Sequence, residues 1–235
     1  MFIRNLIMLL LLCTSSQSQD EPICTLSGEV ADSIIQTLPR DATAYAQVGI
    51  LFTNKVFLRN TNDGKRDADS AIVFLTSACE SKPTPRLQVY LYIAKALRAS
   101  KDGFWAKVTG GTKSRATEAF DACDSIARSY PDDLGVQFLT ANLLEEGDRL
   151  EKNWYYWQRA WDILTALHVR DAGSTGFFTE EVRGMILLNQ GKLIIKLRLY
   201  GETSSDSANM FWARVIAQYP NTSAAENARD QLKKH

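Results

Sequence analysis

"AFDACDSIARSYP" at 119–131 and "ANMFWARVIAQYP" at 208–220 decide how this chain folds. Each opens on Ala, mixes apolar and polar residues at helical rather than alternating spacing, and closes on Tyr-Pro twelve residues later. Upstream, "AIVFLTSACESKP" (71–83) spans the same distance from Ala to Pro, and "AWDILTALHVRDA" (160–172) does so with Ala172 in place of Pro. The anchoring residues Ala71, Ala119, Ala160 and Ala208 recur every 41 to 48 residues. A period of that length marks a stack of supersecondary units, each too small to bury its apolar face alone. Pro ends each copy because it lacks an N–H and disfavours helical geometry in the residue before it.

A second helical stretch precedes each copy, at 42–60, 86–100, 134–146 and 180–200. Turn-forming residues separate the members: "NTNDGK" (60–65), "KDG" (101–103), "GD" (147–148) and "GETSSDS" (201–207). No stretch reads as a strand. The expected fold is all-α: an α-solenoid of about four helical hairpins at 42–83, 86–131, 134–172 and 180–220, with a capping helix at 222–234. The small anchoring Ala is expected at the start of each second helix, where it lets two helices approach to about 8–10 Å. Asp132-Asp133 and Asn221-Thr222-Ser223 follow prolines and are expected to cap the next helix.

The Ala-to-Pro signature, and above all "FWARVIAQYPNTSAAENARDQL" at 211–232, resembles tetratricopeptide repeats (TPRs). It is similar to the versions in exported bacterial envelope proteins, including outer-membrane assembly lipoproteins and periplasmic scaffold proteins. The resemblance covers roughly 42–232 and is specific in its last forty residues. The units exceed the usual 34 residues, and the first helices lack the full Trp/Leu-Gly/Tyr pattern. Gly49, Gly135 and Gly191 are read as remnants of its glycine. The resemblance implies the fold and a habit of binding partners; it carries over no functional residue.

Composition is close to the globular average, with 45% hydrophobic and 23% charged residues and a formal net charge of zero. The basic residues are scattered, whereas phosphate neutralisation needs a basic stripe, so no nucleic-acid partner is expected. "MFIRNLIMLLLLCTSSQSQDEP" reads as an export signal over 1–18: Arg4, then an apolar run Leu6–Cys13 too short to span a bilayer, then Ser16-Gln17-Ser18 before Gln19. "LLLLC" offers an alternative, a lipoprotein signal ending before Cys13, with Leu12 where that pattern has a small residue. Either way the expected localisation is the periplasm or the outer membrane's surface, with membrane contact only through a lipid on Cys13. Residues 19–41 are read as an N-terminal segment with a short helix. Beyond the leader stand Cys24, Cys79 and Cys123, among which three pairings are open; Cys79 and Cys123 fall in apolar helical runs that favour buried free thiols.

No GxSxG, HExxH, phosphate loop or GxGxxG occurs, and the only histidines are His168 and His235. His168 is expected near the end of a second helix, where a cation suits the helix dipole. "TGGTK" (109–113) reads as a connector, "DADS" (67–70) as a helix N-terminus, and Glu145-Glu146 and Glu180-Glu181 as solvated groups flanking helix ends. Hence no enzymatic activity, cofactor or metal is expected.

The most informative cluster is aromatic. In "EKNWYYWQRAW" (151–161), Trp154, Trp157 and Trp161 lie at i, i+3 and i+7 on one helix face, expected to pack inward. Tyr155, Tyr156 and Arg159 point elsewhere and are expected to be exposed, with Phe177 and Phe178 following in the next connector. These eight residues are the candidate partner-binding site. Among polar positions of the first helices, Tyr45, Asn54, Tyr90, Tyr92, Lys95, Gln137, Asn142, Arg183, Asn189 and Lys192 are candidates for a concave groove. The expected function is a non-enzymatic scaffold or adaptor that binds envelope proteins or peptides. The alternative is a helical accessory protein of a transport system that binds a small apolar molecule or lipid.

Overall fold

A computed structural model describes residues 42–57, 63–100, 111–147, 153–172, 178–199 and 204–234, all of them helix or the turns between helices. The expected leader with Cys13, the segment 19–41, Cys24 and Phe177 lie outside the described residues. In chain order the helices are α1 (Ala42–Phe57), α2 (Gly64–Ser81), α3 (Pro85–Ser100), α4 (Gly111–Ser129), α5 (Leu134–Glu145), α6 (Asn153–Ala172), α7 (Glu180–Leu197), α8 (Ser204–Gln218) and α9 (Ser223–Leu232). No strand occurs among the described residues.

The local sequence sets these boundaries. Asp63, Asp133, Thr179 and Thr222 each precede a helix and accept a bond from the backbone N–H three residues on. Each thereby satisfies one donor that the first turn leaves free. Helices α2, α4 and α8 stop at Ser81, Ser129 and Gln218, each two residues before Pro83, Pro131 or Pro220. The excluded α geometry of a pre-proline residue accounts for the common offset. Arg198 closes α7 in the left-handed region (φ 49), and Leu199 N–H bonds back to Ile194 O at 3.2 Å. Gly111, Thr112 and Lys113, expected in a connector, belong to the first turn of α4.

Every helix packs on the next in sequence, and α1, α3, α5, α7 and α9 also touch one another in that order. The odd-numbered helices therefore form a row, with each even-numbered helix packed against the odd ones before and after it. Two apolar clusters fill the interior. The larger runs from Ala46 to Leu197; the smaller gathers Leu187, Leu188, Ile194, Ala208, Trp212, Val215, Ala224, Ala225 and Ala228. Half-buried Trp161, Met185 and Leu199 pack against both.

The anchoring Ala residues are all buried, at 0–2% exposure. They do not start their helices: Ala71, Ala119 and Ala160 lie seven or eight residues inside α2, α4 and α6. The caps and turn residues upstream begin these helices earlier than the repeat pattern alone suggests. Four residues after each anchor comes a fully buried side chain, Leu75, Cys123, Leu164 or Trp212. Glycine answers it in two units. A Cβ on Gly49 would stand 2.5 Å from Leu75 Cγ, and one on Gly191 would stand 2.4 Å from Trp212 Nε1. Gly135 plays a different part, since a Cβ there would meet the Arg86 guanidinium of α3.

Candidate functional site

The aromatic cluster departs from its expectation at Trp154, which is exposed, and at Tyr156, which is buried. Helix α6 starts at Asn153, whose side-chain oxygen accepts the Trp154 N–H at 2.7 Å. Trp154 then projects outward at 57% exposure, while Trp157 and Trp161 are half-buried against the core. Tyr156, expected at the surface, is fully buried. Its ring packs on Phe120 (centroids 5.1 Å apart) and its hydroxyl donates to Asp121 Oδ1 at 2.8 Å. Burial and the Asp121 carboxylate push the Tyr156 hydroxyl pKa well up. Phe178 is buried too, against Phe138.

Tyr155 and Arg159 are the part of that prediction nearer the surface, and both are engaged. Asp124 of α4, only 4% exposed, accepts the Tyr155 hydroxyl (2.5 Å), Arg159 Nε (2.8 Å) and Arg128 Nε (3.1 Å). Arg128 also donates to the Tyr155 oxygen at 2.7 Å. Burial alone would raise the Asp124 pKa; the bonds from Tyr155, Arg159 and Arg128 outweigh it and hold the carboxyl below its ordinary value. A tryptophan has one weak donor to offer two aspartates, whereas tyrosine hydroxyls and an arginine satisfy them. That asymmetry turns Tyr155, Tyr156 and Arg159 toward α4. The cluster is a joint between α4 and α6 that leaves Trp154 facing outward.

A polar seam runs along the odd-numbered row instead. Glu145, at the end of α5, is 2% exposed, which corrects its reading as a solvated group. Lys196 Nζ of α7 lies 2.5 Å from its Oε1 and 2.6 Å from its backbone oxygen; Lys192 Nζ lies 3.4 Å from Oε2. Burial pushes this carboxyl up, but the two ammonium groups more than reverse it and keep the group ionised. One turn back, Asn189 donates to Asn142 Oδ1 at 2.7 Å. Lys196 also lies 5.6 Å from the centre of the Trp157 ring, a cation–π contact from α7 to α6.

The seam is not saturated. Asn189 Oδ1 is buried there without a hydrogen-bond partner, as are two atoms on the α6 side, Trp157 Nε1 and the Oε1 of Gln190, whose amide bonds to Thr165. Such orphans cost free energy unless water or a ligand meets them. With one carboxylate against two ammonium groups, the seam carries a net positive charge. Among the described residues, no cluster of three or more His, Cys, Asp or Glu side chains could hold a metal ion.

Of the groove candidates, the structure gathers Asn142, Asn189 and Lys192 in this seam. It places others elsewhere: Tyr90 is buried, Gln137 donates to Ala127 O and Tyr130 O at the end of α4, and Arg183 pairs with Asp171. Sequence reasoning missed Glu145 and Lys196. The available signal was a spacing of 47 residues, which separates both Asn142 from Asn189 and Glu145 from Lys192. Cys79 and Cys123 are free thiols, and burial raises the pKa of each.

Comparison with protein-family models, curated proteins and solved structures finds no match to this chain.

Proposed function

We propose that this chain is a TPR-like α-solenoid of the cell envelope, exported by its N-terminal segment, that binds protein or peptide partners along its odd-numbered helices and catalyses no reaction. The observation that carries the reading is the α5–α7 seam. There a buried carboxylate fixes two lysines beside an Asn pair that bonds to itself, on adjacent members of one helical row, with the Asn189 oxygen left over as an acceptor. Groups locked in place before binding lose little conformational freedom when a partner arrives. An extended partner lying across a row of stacked units meets one such set of groups after another.

The test is affinity capture from envelope extract with the full chain and two variants of matched thermal stability. Lys192→Ala removes one ammonium from the seam while Lys196 keeps Glu145 paired; Lys233→Ala removes an exposed charge on the turn after α9. A partner enriched by the parent and by Lys233→Ala, but reduced at least about tenfold by Lys192→Ala, is the expected result, the loss of one charged contact being worth that much. Equal capture by all three chains places binding elsewhere, and capture of nothing specific sinks the scaffold reading.

A further inference from the structure

Away from the seam, at the opposite end of α7, a cleft of ≈ 310 Å³ opens between α6, α7 and α8. Its lining is His168 and Asp171 from α6, Arg183 and Ile186 from α7, and Arg214, Gln218 and Tyr219 from α8 and the turn after it. The charges do not cancel. Asp171 is the sole carboxylate in this lining, and it is already taken: Arg183 bonds to it through Nε (2.6 Å) and Nη2 (3.2 Å), and the Phe178 N–H adds a third bond. Arg214 uses only Nε, on Gln218 Oε1 at 3.1 Å. Its two outer nitrogens, the His168 ring, the Tyr219 hydroxyl and the Gln218 amide nitrogen have no hydrogen-bond partner among the described residues. The cleft thus offers several donors and one uncompensated cation over an apolar floor, Ile186.

We propose that this cleft binds a carboxylate, gripped by the fork of Arg214, with His168 and Tyr219 donating to it and Ile186 against its carbon. A single free guanidinium matches a planar monoanion, because its two parallel N–H groups fit two carboxylate oxygens. A phosphate dianion would find only half its charge met, since Arg183 is spent on Asp171. The site does not depend on the scaffold reading. It would operate as well on a free acid as on the chain end of a partner protein.

His168 is a built-in reporter. Burial first, and then Arg214, lower its pKa, while Asp171 opposes them, so the imidazole is neutral at pH 7. Arg183 and Tyr219 are the other titratable groups lining the cleft. An anion placed between His168 and Arg214 must raise the pKa of His168, and by reciprocity must bind more tightly as His168 protonates. Each unit of rise corresponds to about tenfold in affinity.

The chain has two histidines, so ring resonances of the full 235-residue protein resolve His168 from His235. The titrants are sodium acetate, acetyl-Ala-Leu with a free carboxylate, the same peptide as its amide, inorganic phosphate, and sodium chloride at matched ionic strength. The expected result is a saturable shift of His168 and a rise in its pKa with acetate and the free peptide, and neither with the amide or chloride. His235 should be unmoved, and Arg214→Gln should abolish the response. Arg214 is an exposed residue bonded only within its own helix, so this variant keeps its fold. Tighter binding of the peptide than of acetate identifies a chain end as the source; equal binding identifies a free acid. A shift that persists in Arg214→Gln, one matched by chloride or the amide, or no shift at all overturns the proposal. Phosphate binding as tightly as acetate overturns the choice of a monocarboxylate.

Discussion

Glu145 shows how one residue ties two helices together, and it sets a pH dependence. Its folded-state pKa lies below the usual value because Lys192 and Lys196 outweigh the burial that would raise it. A carboxyl depressed in the folded state contributes stability above its unfolded pKa of about 4.3, and that contribution is lost as pH falls through the lower folded value. The parent chain should therefore weaken in urea unfolding below about pH 4. Glu145→Gln leaves two half-buried ammonium groups without their carboxylate and should cost about 3 kcal/mol at pH 7. The gap between the two proteins should narrow as pH drops below about 4, where the parent's unfolded state takes up a proton that the folded carboxyl resists. A gap that stays constant from pH 7 to pH 3 would show that the seam is not an ion pair in solution. Little of this was legible beforehand: Glu145 sits in a stretch rich in acids near a helix end, and its partners follow 47 and 51 residues later. Tyr156 illustrates the same limit. The periodicity of α6 brings Trp157 and Trp161 against the core as expected but not Trp154, and Tyr156 turns inward to bond with Asp121 on another helix.

At the scale of helices, the boundaries were the most legible feature, because caps and prolines act within a few residues. Asp133 and Thr222 cap where the sequence places them, and three helices halt two residues before a proline. The anchoring Ala residues were legible as close-packing positions but not as mid-helix ones, since their helices start four to eight residues upstream of the repeated stretch. Close approach is best tested at Gly191. Replacing Gly by Ala inside a helix normally gains about 1 kcal/mol. Here the added methyl would sit 2.4 Å from Trp212 Nε1, an atom already bonded to Leu188 O at 3.2 Å. The indole is fully buried and has no room to retreat, so Gly191→Ala should lose about 1–2 kcal/mol net, overpacking outweighing propensity. In a Trp212→Phe background the clashing nitrogen is gone, and the same substitution should become neutral or stabilising. Additive losses in this double-mutant cycle would mean that α7 and α8 are held apart by something other than the indole.

For the molecule as a whole, the decisive property is that contacts are short in helix order. Each helix packs mainly on helices one or two places away, and the last three share an apolar cluster gathered around Trp212. Stability in such an arrangement is a sum of neighbour terms, so damage at one end should not spread evenly. Helix α9 makes the test clean. Ala224 stands where a Cβ on Gly184 would meet it at 2.9 Å, and Glu181 of α7 accepts the Ser223 N–H at 3.0 Å and the Ser223 hydroxyl. A chain ending at Asn221 removes these contacts along with Ala225 and Ala228, the other buried side chains that α9 gives to the apolar cluster around Trp212. Hydrogen exchange should then show lost protection in α8 and the first turns of α7, a smaller loss in α6, and values for α1 to α4 unchanged from the intact protein. A uniform loss across all helices would instead mark a single cooperative core and remove the physical basis for reading the chain as stacked units. The contrast is sharp because Trp161, Met185 and Leu199 are the half-buried apolar side chains that pack against both clusters. If protection stops falling at the helices that carry them, they are the joint at which the end unit separates from the rest.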